Sequence, residues 1–573
     1  MRDQNPALPR HWAFHPPSPD SATAPLREEL QLHPLMADLL WRRDITTVEA
    51  ARRFLRPSLE QLHDPFLLLG MQAAAERIAD GLERDEKIVV SGDYDVDGIT
   101  SSTVLAHFLT GAGARALQIF IPNRFDHGYG LTARSVEALR KLAPKLVITV
   151  DNGIAARKEV LDLHAAGIDT VITDHHLPPP EGVPPGIVVN PRQPGCGYPF
   201  KAISGCGVAL KLITALRKTL RDRGWWSEAR PEPNLKQYLD LVAIGTVADV
   251  VPLVDENRVF VRAGLEVMAR GPNRPGLIAL MAVSRVKQPL TARKIAFQIA
   301  PRINAAGRMD EGSLAVELLL AEDGQRAEQL AQRLDEENRK RRAREEEMLR
   351  EALDIVKAQG ADDPAALVVA SPGFHEGIIG IIASRLVDRF HCPTVVLAQN
   401  GDGYKGSARS VPNVNVAEAL GACGDLLQQS GGHAGAAGCR LAKENLVPFR
   451  EAFARACRGR GGQSGDPITH LDGRLSDQAP ERRLVEQIGW LEPFGHGNEE
   501  PSFLVEGAGL PSDPQVLAEK HLKWRLPDGA EMIAWNGAGR LPPPAGLQFR
   551  VKLGFNEYRG ARTIQMVVEE FAE

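Results

Sequence analysis

The chain has 573 residues, 43% of them hydrophobic, and a formal net charge of −5. That length allows three or four domains with ample cores, and the sequence has no run of about 18 uncharged apolar residues that could span a bilayer. The mild acidity does not exclude nucleic acid as a partner, because the charge that a nucleic-acid groove needs is local. The first residues carry Pro6, Pro9, Pro16, Pro17 and Pro19 but no apolar signal core, so a cytoplasmic location is expected. The six cysteines form no C-x-x-C pair and read as reduced, mostly buried residues.

Residues 1–60 read as a tail with short lead-in helices. Strands and helices then alternate from 61 to 323. The run Lys87-Ile88-Val89-Val90 leads into Asp93-Tyr94-Asp95-Val96-Asp97-Gly98. These letters open the D-x-D-x-D-G calcium loop, which also needs a preceding helix and a Glu at position twelve. Here a strand precedes and position twelve is Val104, so the calcium loop fails.

Three further strands end in polar residues. Gln118–Ile121 runs into Pro122-Asn123-Arg124, Leu146–Val150 into Asp151-Asn152-Gly153, and Thr170–Thr173 into Asp174-His175-His176. A fifth, Ile187–Val189, ends at Asn190-Pro191. Helix-like segments at 132–142 and 155–166 lie between them, which implies a mostly parallel sheet. Ligands bind at the carboxyl edge of such sheets. One acidic strand end is an ordinary turn. Three of them, with two adjacent histidines, converge on a metal site, because clustered carboxylates repel unless cations lie between them. Carboxylates with imidazole and no thiolate favour Mn²⁺ or Mg²⁺. Four or more carboxylates suggest two ions, roughly 3.5–4 Å apart, that clamp a phosphoryl group and activate water.

Residues 324–360 lack proline and read as one charged helix, about 50 Å long if continuous, bridging two lobes. Its Arg339-Lys340-Arg341-Arg342 run is a solvated face or a phosphate-facing patch. Residues 361–462 form a second, smaller α/β lobe. Its Gly431–Gly438 run reads as a linker or as a backbone nest for phosphate. From 463 to 573, five short strands suggest a β-barrel of the OB type. Residues 465–573 hold 11 Lys+Arg against 17 Asp+Glu, which argues against strong electrostatic DNA binding there. Trp524, Trp535 and Tyr558 are base-stacking candidates or barrel core. Removal of the barrel is expected to leave the cleavage chemistry intact.

Asp93–Gly98, Asp151-Asn152-Gly153, Asp174-His175-His176 and Gly245–Leu253 together resemble the four motifs of the DHH phosphoesterase superfamily. The segments 122–130, 302–308, His375–Gly380, Lys405–Ser410 and Gly431-Gly432-His433 look like its RecJ branch. The match runs from about residue 45 to the end, and the ordered set is far more specific than the triplet alone. The resemblance implies a DHH core lobe, a DHHA1-like lobe and an OB domain. It further implies a single-strand-specific 5′-to-3′ DNA exonuclease that uses two Mn²⁺ or Mg²⁺ ions, releases mononucleotides and acts in repair and recombination. Single-stranded DNA is then the partner, with a single-strand-binding protein and a helicase beside it, and the chain is expected to be a monomer.

The resemblance also distributes roles. Asp95, Asp97, Asp151, His175 and Asp249 match the metal ligands. His176 falls beside the scissile phosphate, and Asp93 is a ligand or an acceptor next to the ligands. Arg124, Arg302, Asn304, Arg308, Ser407, Arg409 and His433 fall near substrate phosphates, and Arg124 on the carboxyl edge is expected to read the 5′ end. Two rivals remain. One is a DHH phosphatase for small nucleotides, which the extra domains count against. The other is a non-catalytic DNA-binding scaffold, which would be expected to have lost ligand carboxylates.

Overall fold

The structure, a computed structural model, describes residues 12–573 except 124–125, 129, 272, 309–311, 361–364, 459–467, 476–479, 507–509, 511–512, 528, 540–546, 559 and 573, and except the side chains of Arg308 and Tyr558. The chain divides into two units. The first holds residues up to Asn304, Gly312–Ala331 and Ile468–Glu573; the second holds Ala305–Glu311 and Gln332–Pro467.

The first unit is built on a five-stranded parallel sheet. Its order is Leu117–Phe120, Ile88–Ser91, Leu146–Val150, Asp169–Thr173 and Ile187–Val189. The two central strands, Ile88–Ser91 and Leu146–Val150, are buried along their whole length. Both faces are covered, which is why they read as unbroken apolar runs and not as alternating ones. The chain leaves Ile88–Ser91 for one neighbour, Leu117–Phe120, and then crosses to the other, Leu146–Val150. That reversal creates a crevice at the carboxyl ends of these two strands. The Asp93–Asp97 turn and Asp151 fall at its two sides.

Residues 1–60 are not a tail where they are described. Helices Asp20–Leu30, Pro34–Trp41 and Val48–Leu55 share one hydrophobic core with the C-terminal sheet. Leu26, Met36, Leu39 and Leu40 pack in that core with Phe503, Trp524 and Phe549. Trp12–Phe14 also pairs in parallel with Thr469–Leu471. Short helices with one apolar stripe are not stable alone, and the sheet supplies the partner surface. The expected boundaries at 60 and 463 therefore separate segments that fold as one. The C-terminal sheet is also tied to the lobe that holds the parallel sheet. Buried Arg258, on helix Asp255–Arg270, donates to the carbonyls of Phe54, Leu491 and Trp490.

The C-terminal sheet has seven strands, two more than expected, because Gly473–Arg474 and Gln515–Leu517 join the five. Trp524 is 2% exposed and packs against Phe549, so it is core and not a stacking platform. Trp535 is exposed, with its edge toward His521. The side chain of Tyr558 lies outside the described residues. Several of the sheet's acids are paired within it, Glu531 with Lys523 and Glu569 with Lys552 among them.

The second unit has a five-stranded mixed sheet, ordered Gln429–Gly432, Ala436–Ala442, Gly403–Arg409, Thr394–Asn400 and Leu367–Ser371. The glycine-rich run is not a linker. It forms an antiparallel hairpin, closed by the His433 N–H donating to the Ala436 carbonyl at 2.8 Å. Helix Gly324–Ala358 has 35 residues and contributes to both units. Its basic run pairs along the helix, Arg339 with Asp335, Lys340 with Glu337 and Arg341 with Glu345, which favours the solvated-face reading. No helix among the described residues is long and apolar enough to cross a membrane.

Candidate metal centre

Three acidic strand ends meet in one buried cluster. His175 Nε2 lies 3.1 Å from Asp151 Oδ1, 3.5 Å from Asp249 Oδ2 and 3.9 Å from Asp97 Oδ2. Three overlapping sets have ligand atoms close enough to hold an ion: Asp97-His175-Asp249, Asp93-Asp95-Asp151 and Asp151-His175-His176. Asp97, Asp151 and His175 are 1%, 2% and 6% exposed. Asp151 Oδ1, His175 Nε2 and Asp249 Oδ2 are buried without a hydrogen-bond partner among the described residues. Buried polar atoms are normally satisfied, so a group that accepts their lone pairs is implied.

Each ligand is aimed by its local structure. Asp95 caps helix Val96–Gly111, its Oδ1 accepting the Gly98 N–H at 3.0 Å. Asp97, in the first turn of that helix, reaches a second helix start. Its oxygens accept the N–H groups of Gly205 at 2.6 Å and Cys206 at 2.9 Å. Asp151 sits at φ +61 and Val250, beside Asp249, at φ +60. The left-handed region is unfavourable for a β-branched residue, at a cost of about 1–3 kcal/mol, and such strain collects at functional sites. Gly205 and Gly245 make room for the cluster. A Cβ on Gly205 would meet Asp151 Oδ1 at 2.6 Å, and one on Gly245 would meet Asp97 Oδ1 at 2.7 Å.

The electrostatics split the groups into two kinds. Burial, then the charge of Asp95, pushes Asp97 up to about 7. Burial and the neighbouring carboxylates hold Asp151 and Asp249 well above the usual range. Burial, then the charge of His176, takes His175 down to about 3, which leaves a neutral imidazole with a lone pair for a cation. His176 goes the other way. Burial lowers it, but the hydrogen bond and charge of Asp174 outweigh burial and hold it above 6.5. Asp174 is buried too, yet its bond to His176 keeps it below the ordinary carboxylate value. Its Oδ1 accepts from His176 Nδ1 at 2.7 Å and from the N–H groups of His175 and His176, and its Oδ2 from the Ile154 N–H.

The chain matches three families in register with this architecture: the DHH family, N-terminal domain, over 87–246, the DHHA1 domain over 363–459, and the RecJ OB domain over 471–570. The single-stranded-DNA-specific exonuclease RecJ of Dickeya dadantii is 38% identical over 534 residues, covering 90% of this chain and 92% of that protein. The chain belongs to the RecJ family. A RecJ crystal structure from Thermus thermophilus in complex with Mn²⁺ superposes with a TM-score of 0.81 at 32% identity, covering 98% of this chain and 79% of that one. Its counterpart in complex with Mg²⁺ gives 0.75 at 29%, covering 98% and 78%. The carboxylate and imidazole set here fits such hard ions.

In this chain the expected ligands Asp95, Asp97, Asp151, His175 and Asp249 come together, with Asp93 and His176 among them. The expected substrate residues belong to both units, Arg302 and Asn304 to the first and Ser407, Arg409 and His433 to the second. Arg302 gives its guanidinium to the carbonyls of Gln298 and Val283. Arg302 and Asn304 both lie on helix Ala300–Arg308. Arg124 and the Arg308 side chain lie outside the described residues. In the second unit, Arg409 Nη1 donates to Ser407 Oγ at 3.1 Å, and the missing side chain of Gly380 leaves space for both. His433 sits at the hairpin turn.

Asp174, one of the strand-end residues seen in the sequence, clamps His176. The parts played by Asn190, Gly205, Cys206 and Arg192 escaped the sequence reading. Asn190 Nδ2 donates to the His176 carbonyl at 2.9 Å, fixing the same loop. The Gly205 and Cys206 N–H groups hold Asp97, and Ser204, which caps their helix, was the available signal. Arg192 is near enough to depress the basicity of His175 and Asp249, and no carboxylate lies within ion-pair distance of it among the described residues.

Proposed function

We propose that the chain is a metal-dependent exonuclease specific for single-stranded DNA, degrading from the 5′ end and releasing mononucleotides. The observation that carries this reading is the meeting of three acidic strand ends and one neutral histidine in a single buried cluster. Asp95, Asp97, Asp151, Asp249 and His175 would hold the ions, with Asp93 beside them. Bound Mn²⁺ or Mg²⁺ supplies Lewis-acid activation of water and of the phosphoryl oxygen.

The chain's own residues do the rest. Asp174 raises the basicity of His176, which favours its offering a proton and a hydrogen bond to a phosphate oxygen. The bond from Nδ1 to Asp174 also fixes the ring's orientation. Arg192 adds positive charge at the rim, where a phosphodiester brings negative charge. Arg124, Arg308, Ser407, Arg409 and His433 are assigned to phosphates by their motif positions, and Arg302 and Asn304 by the same argument. Single-strand-binding protein and a helicase are the proposed protein partners, since a strand must be exposed before it can be degraded.

Digestion of single strands labelled at either end tests this. A 5′ label should appear at once as mononucleotide, only when Mn²⁺ or Mg²⁺ is added, and duplex should resist. Early loss of a 3′ label as mononucleotide would reverse the polarity.

A further inference from the structure

The metal ligand Asp249 ends a helix, Leu239–Ala248, and is followed by a turn rather than by a second regular element. That turn is Val250-Val251-Pro252-Leu253. Val250 is in the left-handed region and 64% exposed, so burial of its side chain does not favour that shape. Two outside contacts grip it. Asn257 Nδ2 donates to the Pro252 carbonyl at 3.0 Å and to the Ala202 carbonyl at 2.7 Å. On the other side stands a loop from the C-terminal domain, Gly495-His496-Gly497-Asn498.

The fit between turn and loop is close. The Leu253 N–H donates to the His496 carbonyl at 2.7 Å. A Cβ on Gly497 would meet Pro252 Cβ at 2.8 Å, and Gly497 has φ +70. A Cβ on Gly495 would meet Leu253 Cδ1 at 2.7 Å. Gly497 is thus required where the loop touches the turn, by its backbone as well as by the ring of Pro252, while the close atom at Gly495 is the tip of the Leu253 side chain.

The loop itself is rigidly mounted. Gly495 and Asn498 exchange backbone hydrogen bonds at 3.0 and 3.1 Å. Asn498 is 1% exposed, and its Nδ2 donates to the carbonyls of Leu491 and Pro493. Arg43, from the N-terminal helices, donates to Asn498 Oδ1 at 2.9 Å and to the Glu499 carbonyl at 2.6 Å. Arg258 holds the carbonyls of Leu491 and Trp490 at the base of the same loop.

We propose that the Gly495–Asn498 loop is a positioning element of the metal centre: by seating Pro252 and Leu253 it fixes the strained turn that presents Asp249 to the ion. The C-terminal domain then contributes to metal affinity through this contact, in addition to anything it does for DNA. The proposal rests on Asp249 being a ligand, and the test separates the two claims.

Mn²⁺ binding to the full-length chain is measured by calorimetry for wild type, Gly497→Ala, Arg43→Gln, Asp249→Asn and the Gly497→Ala/Asp249→Asn pair. Gly497→Ala is expected to weaken binding of one ion by about ten- to a hundred-fold, the range for residues that orient a ligand. Arg43→Gln, which leaves the contact surface intact and covers a misfolded Gly497 variant, should weaken it in the same direction. A cooperative melting transition in chelator shows that the variant being scored is folded. Turnover lost in Gly497→Ala should return as Mn²⁺ is raised. In the Asp249→Asn background the Gly497 substitution should cost nothing further. Wild-type Mn²⁺ affinity in both single loop variants, with Asp249→Asn impaired, overturns the positioning role alone. An additional full loss in the double variant overturns it as well. Unchanged affinity in Asp249→Asn overturns the ligand assignment and this proposal with it.

Discussion

The carboxylate of Asp97 is bound by the first turn of a distant helix, with the Gly205 N–H donating to its Oδ2 at 2.6 Å. One helix start therefore carries the ligand and another holds it. Positive helix ends stabilise an anion there, although burial still lifts Asp97 to about 7.

Gly205→Ala should break the site without unfolding the domain. The new methyl would sit 2.6 Å from Asp151 Oδ1. Mn²⁺ affinity and turnover are expected to fall by about ten-fold or more, with circular dichroism unchanged. Calorimetry with a rate assay on single strands checks this.

Asp95→Ala, Asp151→Ala and Asp249→Ala should each abolish hydrolysis. Near-normal rates in any two of them would remove the metal assignment. Metal-free Asp151→Asn should melt higher than wild type at alkaline pH, because a buried charge that repels Asp97, Asp95 and Asp249 is gone.

His175 and His176 should separate. His175→Ala is expected to weaken Mn²⁺ binding, since its neutral Nε2 faces three carboxylates. His176→Ala should lower turnover more than affinity. Asp174→Asn should lower the His176 pKa, because the bond that raises it is lost. If the charged ring is needed, the alkaline loss of activity moves to lower pH. Rate profiles for wild type and Asp174→Asn decide this.

The metal-free protein should lose stability as pH rises. Asp97 titrates at about 7 in the fold against 3.8 ordinarily. A raised carboxyl contributes stability that is intact below its unfolded value and is lost as pH climbs through the folded value. Mn²⁺ should therefore raise the melting midpoint more at about pH 8 than at about pH 5.5. Thermal scans with chelator and with Mn²⁺ at both values measure the difference.

The acidic cluster was legible in part because carboxylates at strand ends are visible letters, whereas Asp249 ends a helix and was placed only by its motif. Lys87–Val90, Leu146–Val150 and Thr170–Thr173 are short apolar runs, and each leads into an aspartate. The cradle for Asp97 was not legible, since backbone N–H groups at Gly205 and Cys206 leave no mark in side-chain chemistry. Nor was the union of the N-terminal helices with the C-terminal sheet. His33 N–H donates to Gln487 Oε1 across 454 positions, and no local pattern specifies a contact of that separation. Separation along the chain likewise hid the loop at Gly497. Trp524 shows the limit for aromatics: an indole in an alternating strand reads alike whether it faces the core or a bound nucleic-acid strand, and here it faces the core.

Truncation bears on that union. Deleting 468–573 would expose Leu26, Met36 and Leu40, which share the core of the C-terminal sheet. The shortened chain is expected to melt well below the full chain or to aggregate, rather than to persist as a stable nuclease. Calorimetric scans of both would show it.

The central claim is that the buried cluster carries hydrolysis of single-stranded DNA through bound divalent ions. The most direct measurement is the rate of mononucleotide release from single strands and from matched duplex, followed across a Mn²⁺ titration for wild type and Asp151→Asn. Release is expected from single strands alone, rising with Mn²⁺ in parallel with calorimetric binding, and none is expected from Asp151→Asn. Release without any divalent ion, or undiminished release from Asp151→Asn, would contradict the claim.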